Sequence, residues 1–262
     1  MRELFDLPEN LSHPDPTRRA QIQMKRPLPK RFYEDVSVAE GAGEFAIHLD
    51  GRPVRTPAKN PLVAPTSALA DLMRAEWDAQ AEEVDPVTMP VTKLVNTAID
   101  GVAVDPQAVF EDILRFSSSD LLCYRAETPE ELVARQTDRW DPLIDWAAND
   151  LGARFILIEG IMPQDQPREA TAAFAVTLRK YDTPIELACL HTVTTLTGSA
   201  ILALAFAEGR LTADEAWSLA HLDEDWTEEH WGVDAEAVQR RTKRHDELQA
   251  AAAAFLSLRA QT

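Results

Sequence analysis

EFAIHLDGRPVRTPAKNPLVAPTSALADLMRAEW, residues 44–77, changes its period part-way along. In its first third Phe45, Ile47 and Leu49 alternate with Glu44, Ala46 and His48, the period-two signature of a half-buried strand. Asp50-Gly51 follows at once, and this pair favours a two-residue hairpin because both central residues of a type I′ turn need positive φ. Beyond Pro65 the apolar residues recur every three or four positions, as Leu69, Leu72, Met73 and Trp77, with Thr66 or Ser67 as the capping residue. The stretch therefore predicts strands before Pro65 and helices after it.

Working outward, RFYEDVSV, EFAIHL and RPVRT predict a small antiparallel β domain over residues 30–64. Pro53 and Pro57 mark an edge or irregular strand. Residues 1–29 carry five prolines and little periodicity, which reads as an extended arm. Residues 65–262 read as a larger all-helical domain. Its helices are expected to close near Gly101, to restart at Asp105-Pro106, and to run over Pro129–Asn149, Pro167–Lys180, Pro184–Glu208, Thr212–His230 and Val233–Arg259. RFILIEGIM, from Arg154, fits a short strand or an extended link. The fold class is thus α+β, a small N-terminal antiparallel β domain followed by helices.

A net charge of −18 is unevenly spread: residues 1–31 sum to +3 and the rest to −21. A body of that sign repels DNA, RNA and anionic lipid, so the expected partner is basic or apolar and no nucleic acid is expected. No run of about 18 apolar residues predicts a membrane span, and AILALAFA (Ala200–Ala207) reads as a buried helix. The N-terminus lacks the apolar core of a signal peptide, so the expected compartment is the cytoplasm. Cys123 and Cys189 are expected as reduced core residues.

The common catalytic patterns fail on mechanism. EGAGEFA (Glu40–Ala46) has the spacing of a dinucleotide loop but opens a strand, so no helix N-terminus is available for a pyrophosphate. Gly198-Ser199 reads as core glycine and serine within a helix, eight residues from His191 and outside any nucleophile elbow. His48 sits on the polar phase of a strand. No cofactor and no metal are expected.

One stretch stays open. HLDEDWTEEHWG, His221–Gly232, holds five carboxylates and two histidines. On one helix, His221 and Asp225 would be neighbours, as would Glu224 and Glu228. A solvated helix face accounts for such a run. A docking face does so too, because Trp226 and Trp231 stud the acids and aromatics beside charge are typical interface anchors. A hydrolytic or metal site built on Glu224, Glu228 and His221 is the third reading, and it would need a cleft or ligands from a second segment. The residues alone favour a binder over an enzyme.

KRFYEDVSV, FAIHLDGRPVRTP, EWDAQ, MPVTKLVNTAID, DLLCYRAE and RQTDRWDPLIDWA, in that order, resemble the assembly chaperones of the ATP synthase alpha subunit. This family is called ATP-twelve in mitochondria, and also ATP synthase assembly factor 2. HLDEDWTEEHWG is similar to its C-terminal acidic signature, with Trp226-Thr227 standing where the family usually has an aromatic residue and then Gln. The resemblance implies a non-enzymatic chaperone that binds unassembled alpha subunit, has no cofactor and does not insert in membranes. It implies a functional role for Glu224 and matches Trp77 to a sensitive family position. The docking reading adds Asp225, Glu228 and Trp231 as candidate client-binding residues, and the apolar face of Leu69, Leu72 and Met73 makes Trp77 a structural residue. The resemblance also points to a bacterial, cytoplasmic member of the family.

Overall fold

A computed structural model describes residues 28–160, 164–232 and 235–259. Apart from Leu28 and Pro29, the arm expected over residues 1–29 lies outside the described residues.

Strands β1 (Val36–Gly41), β2 (Glu44–Leu49), β3 (Arg52–Pro53) and β4 (Val63–Ala64) form an antiparallel sheet with β2 bonded to the other three. The β1–β2 register runs from Val36 opposite Leu49 to Gly41 opposite Glu44. Its turn is Ala42-Gly43, so EGAGEFA is a hairpin and no nucleotide loop. Asp50 and Gly51 both take positive φ, 51° and 74°, as the type I′ turn requires. Asp50 tolerates this because its carboxylate accepts from the N–H groups of Glu34 and Asp35, at 3.0 and 2.9 Å. Those two bonds, Asp35's the stronger influence, lower the carboxyl pKa.

Helix α1 (Ser67–Asp78) packs against β1, β2 and β4 through Leu69, Ala70, Met73 and Trp77. Thr66 is its cap, accepting from Leu69 N–H at 3.2 Å. Trp77 is only 1 % exposed, with Tyr33 edge-on at 5.8 Å and the Tyr33 hydroxyl donating to its carbonyl at 2.6 Å. Around it every polar member of EWDAQ is occupied. Glu76 accepts from the N–H groups of Val91 and Thr92, each at 2.7 Å, and so caps α2 (Pro90–Thr97), whose first turn has no side-chain cap of its own. Asp78 lies 3.8 Å from Arg31, whose guanidinium also donates to the carbonyls of Tyr33, Asp78 and Gln80. Gln80 donates to Glu76 O and accepts from Asp85 N–H, holding the link to α2. Asp100, just past α2, accepts from Thr56, Ala58 and Asn60 and ties down the loop before β4.

By packing, the described residues up to Gly101, with the turn from Ser257, form one compact unit, and Val102–Leu256 form another. Pro65 is where the pattern changes period. The packing unit continues through α1 and α2.

The second unit contains α3 (Pro106–Ser117), α4 (Glu130–Asp150), α5 (Arg168–Leu178), α6 (Pro184–Thr197), α7 (Ala200–Ala207), α8 (Ala213–Ala220), α9 (Leu222–Trp231) and α10 (Ala235–Ser257). A two-residue parallel pair joins β5 (Tyr124–Arg125) to β6 (Ile158–Glu159), which selects the strand reading of RFILIEGIM. Every residue of α7 is buried, as its uniformly apolar sequence requires. Cys123 and Cys189 are free and buried.

Two helices expected as continuous are broken. Pro184–Glu208 divides at Gly198, which takes the left-handed conformation at φ 69°, and Ser199 caps α7 through Leu202 N–H at 3.0 Å. The expected mid-helix glycine and serine are thus a stop and a start. Asp120 is the cause: it is fully buried and accepts from the Ser199 hydroxyl at 2.7 Å and from Ile201 and Leu122 N–H at 3.0 and 3.1 Å. Burial pushes its carboxyl up to about 6. The second break falls at His221.

Three outcomes are expected in thermal melts. Trp77→Ala should cost about 3–5 kcal/mol through the cavity it leaves. Trp77→Arg should be worse, because it also buries an unpaired charge. Asp120→Asn should destabilise by roughly 2 kcal/mol, since an amide NH2 would face donors that need an acceptor. Wild-type melting of both Trp77 variants would move that side chain out of the core.

Candidate functional site

The acidic stretch begins where α8 ends. Thr212 and Glu215 form a reciprocal capping box that starts α8, and His221 N–H closes it on Trp217 O at 3.1 Å. His221 then starts α9, accepting from Asp225 N–H at 2.8 Å. Its ring turns inward. Nδ1–H donates to Trp217 O at 2.8 Å, and the imidazole lies on the Trp217 indole with centroids 3.8 Å apart. At 3 % exposure it belongs to the interior. The neighbour facing it is Glu224, with Nε2 and Oε2 3.9 Å apart, and not the i+4 Asp225 that a continuous helix would present.

Trp226 is the second correction. It was expected on the surface among the acids, and it is 9 % exposed. With Leu219 and Leu222, both buried, it continues an apolar stripe at spacings of three and four. His230 stacks on it at 4.1 Å and anchors through Nδ1–H to Trp226 O at 2.7 Å.

The carboxylates of α9 are divided by their partners. Asp223 accepts from Gln136 Nε2 at 2.9 Å, while Gln136 Oε1 accepts from Ala126 N–H. Glu229 takes a two-pronged contact from Arg135 at 2.7 and 2.9 Å, and that pairing lowers its carboxyl pKa. Asp225 and Glu228 share Arg241 of α10, the Glu228 contact being 3.3 Å. Trp140 of α4 completes the mounting by donating from Nε1 to Leu219 O at 2.9 Å. So α4 and α10 hold four of the five acids.

Glu224 is the carboxylate left outward, with 61 % of its side chain exposed. Trp231 lies seven residues further on the same face, about 10 Å along the axis at 1.5 Å per residue. It is 73 % exposed, touching Trp226 edge-on at 5.5 Å. Of the four candidate client residues, the structure leaves Glu224 and Trp231 open and engages Asp225 and Glu228 internally. Among the described residues no group of three or more His, Cys, Asp or Glu side chains is arranged to hold a metal ion.

Arg135, Gln136 and Arg241 were not anticipated. Arg135 and Gln136 sit in RQTDRWDPLIDWA, and with Trp140 they project from one side of α4 at spacings of four and five. A polar pair beside a buried tryptophan is the signal that such a face meets another helix.

An exposed carboxylate and indole, on a helix whose other carboxylates are engaged by neighbouring side chains, are placed to make contacts. That is the chemistry of a binding protein. The family described as ATP12 chaperone protein matches residues 30–148. The solved structure of the Agrobacterium tumefaciens protein Atu1473 is 71 % identical, with 98 % of this chain and 97 % of that one covered and a TM-score of 0.88. Atp12 from Paracoccus denitrificans is 38 % identical, with 87 % of this chain and 98 % of that one covered and a TM-score of 0.81. Protein atp12, mitochondrial, of Schizosaccharomyces pombe is 26 % identical over 226 residues, 82 % of this chain and 77 % of that protein. The chain belongs to the ATP12 chaperone family, chaperones of ATP synthase assembly, and is not an enzyme. No helix among the described residues is long and apolar enough to cross a membrane.

Arg241 faces two carboxylates whose side chains are 30 and 31 % exposed. Arg241→Ala should therefore cost about 1–2 kcal/mol by leaving them together without a cation. Adding Asp225→Asn should recover part of that loss in a denaturant titration, and full additivity of the two changes would count against a shared pair.

Proposed function

We propose that the protein binds the unassembled alpha subunit of the F-type ATP synthase catalytic head and keeps it from aggregating until assembly with beta. Membership of a chaperone family of ATP synthase assembly supports this reading. The observation that carries the location of the site is the outward pair on α9, Glu224 and Trp231, with the remaining acids of the helix engaged inside the protein. A subunit awaiting its neighbour exposes an apolar surface that aggregates, and a soluble acidic partner can cover it without adding a sticky patch of its own. An indole buries large area for few frozen torsions, and a carboxylate selects a basic or hydrogen-bonding partner beside it. Asp225 and Glu228 contribute to the client surface through their field, from behind Arg241. The site of action is the bacterial cytoplasm.

Glu224→Gln should leave the melt within about 0.5 kcal/mol of wild type, since the change is at an exposed position. The same variant should weaken the hold on the alpha subunit by about 2 kcal/mol, and Trp231→Ala by a similar amount. The check is a melt paired with light scattering of alpha subunit alone and with each chaperone variant. Protection equal to wild type by both variants would remove this surface from the function. Failure of the wild type itself to protect alpha subunit would end the client assignment.

A further inference from the structure

Three helices of the second unit begin with a cap residue followed three positions later by glutamate: Thr183 and Glu186 at α6, Thr212 and Glu215 at α8, and His221 and Glu224 at α9. In the first two the glutamate is consumed by its own helix start. Glu186 accepts from the Thr183 hydroxyl at 2.7 Å and N–H at 3.3 Å. Glu215 does the same with Thr212, at 2.9 and 2.7 Å. At α9 that arrangement is blocked. His221 has no hydroxyl, and both its backbone N–H and its Nδ1–H are directed at Trp217 O. With the proton on Nδ1, Nε2 carries a lone pair, and Nε2 is the atom 3.9 Å from Glu224 Oε2. A lone pair cannot bond a carboxylate, so Glu224 stays free although it sits where a capping glutamate sits.

We propose that His221 is a positioning residue for Glu224 and a protonation latch on the client surface. While neutral it leaves the carboxylate to the client, and once protonated it draws Glu224 back through Nε2–H. This rests on α9 being the client-binding helix. The groups that face His221 are Glu224 from its own helix, Arg241 and Arg244 from α10, and, across the Trp217 ring, His245 with its partner Asp214. Burial is the largest influence and lowers the imidazole's affinity for protons, with the two arginines adding to it, whereas the Trp217 carbonyl and Glu224 oppose it. The ring is therefore neutral at neutral pH, and the latch closes only as the pH falls below the ordinary histidine range.

The test uses the full-length protein and two readouts. Imidazole NMR titration of His221 should show its midpoint falling by about half a unit in Glu224→Gln, because the opposing carboxylate is lost. In parallel, the affinity of wild type for unassembled alpha subunit should drop about twofold or more between about pH 7.5 and pH 5. That drop should be absent from Glu224→Gln, and from His221→Asn, which retains a donor for Trp217 O and does not titrate. An unmoved His221 midpoint in Glu224→Gln would overturn the proposal, as would parallel pH profiles for wild type and His221→Asn. Should His221→Asn melt early, the NMR midpoints and the Glu224→Gln profile still decide. A moving midpoint with no affinity for alpha subunit at any pH would uphold the His221–Glu224 coupling and count against the client assignment alone.

Discussion

An acidic helix can dock on a protein body only where its charges find donors, and α9 is mounted on that condition. Arg135 and Gln136 of α4 meet Glu229 and Asp223, and Arg241 of α10 meets Asp225 and Glu228. Trp140 and the Leu222–Trp226 stripe supply the apolar seat beneath. Carboxylates in the first turn also complement the helix dipole, which offsets part of their mutual repulsion. The consequence for function is selection. The helix shows the solvent a single uncommitted carboxylate and one indole, although its sequence reads as an undivided acidic run.

The first unit uses the same economy for its own integrity. Tyr33, Arg31, Glu76 and Gln80 each satisfy backbone groups left open at the end of α1, at the start of α2, or in the link between them. EWDAQ is therefore intelligible without any partner. Its tryptophan is packing, its glutamate is another helix's cap, and its glutamine is a strut. Words of sequence that identify a family are not all words about its client.

Local physics was legible and long-range physics was not. The hairpin at Asp50-Gly51, the Thr66 and Asp105 caps and the buried α7 each depend on residues within a few positions, so periodicity and turn chemistry sufficed. The break at Gly198 carries a local signal, glycine as a stop and serine as a cap, that the apolar runs on either side outweigh in a reading by periodicity. The break at His221 carries no such pair. Ser199 caps a helix because it also reaches Asp120, 79 residues earlier in the chain. The acids of α9 read as a solvated or docking face because their partners Gln136 and Arg135 lie 87 and 94 residues away. Trp226 reads as a surface residue because of the acids on either side of it, although its spacing from Leu219 and Leu222 already places it on the apolar face.

A carboxylate left exposed at a helix's third position and an indole left mostly in water are both departures from what stability alone would select. Glu186 and Glu215 show what the same position does when stability is served. Trp231 is the largest of the exposed apolar side chains among the described residues, and Val87, Val104 and Val176, the others as exposed, are small and far from it in sequence. A net charge of −18 opposes self-association through such an exposed indole. A contact built from one aromatic anchor and one charge, on a rigidly held helix, is specific without being permanent. That combination suits a chaperone, which must hold its client firmly enough to prevent aggregation and weakly enough to let it go.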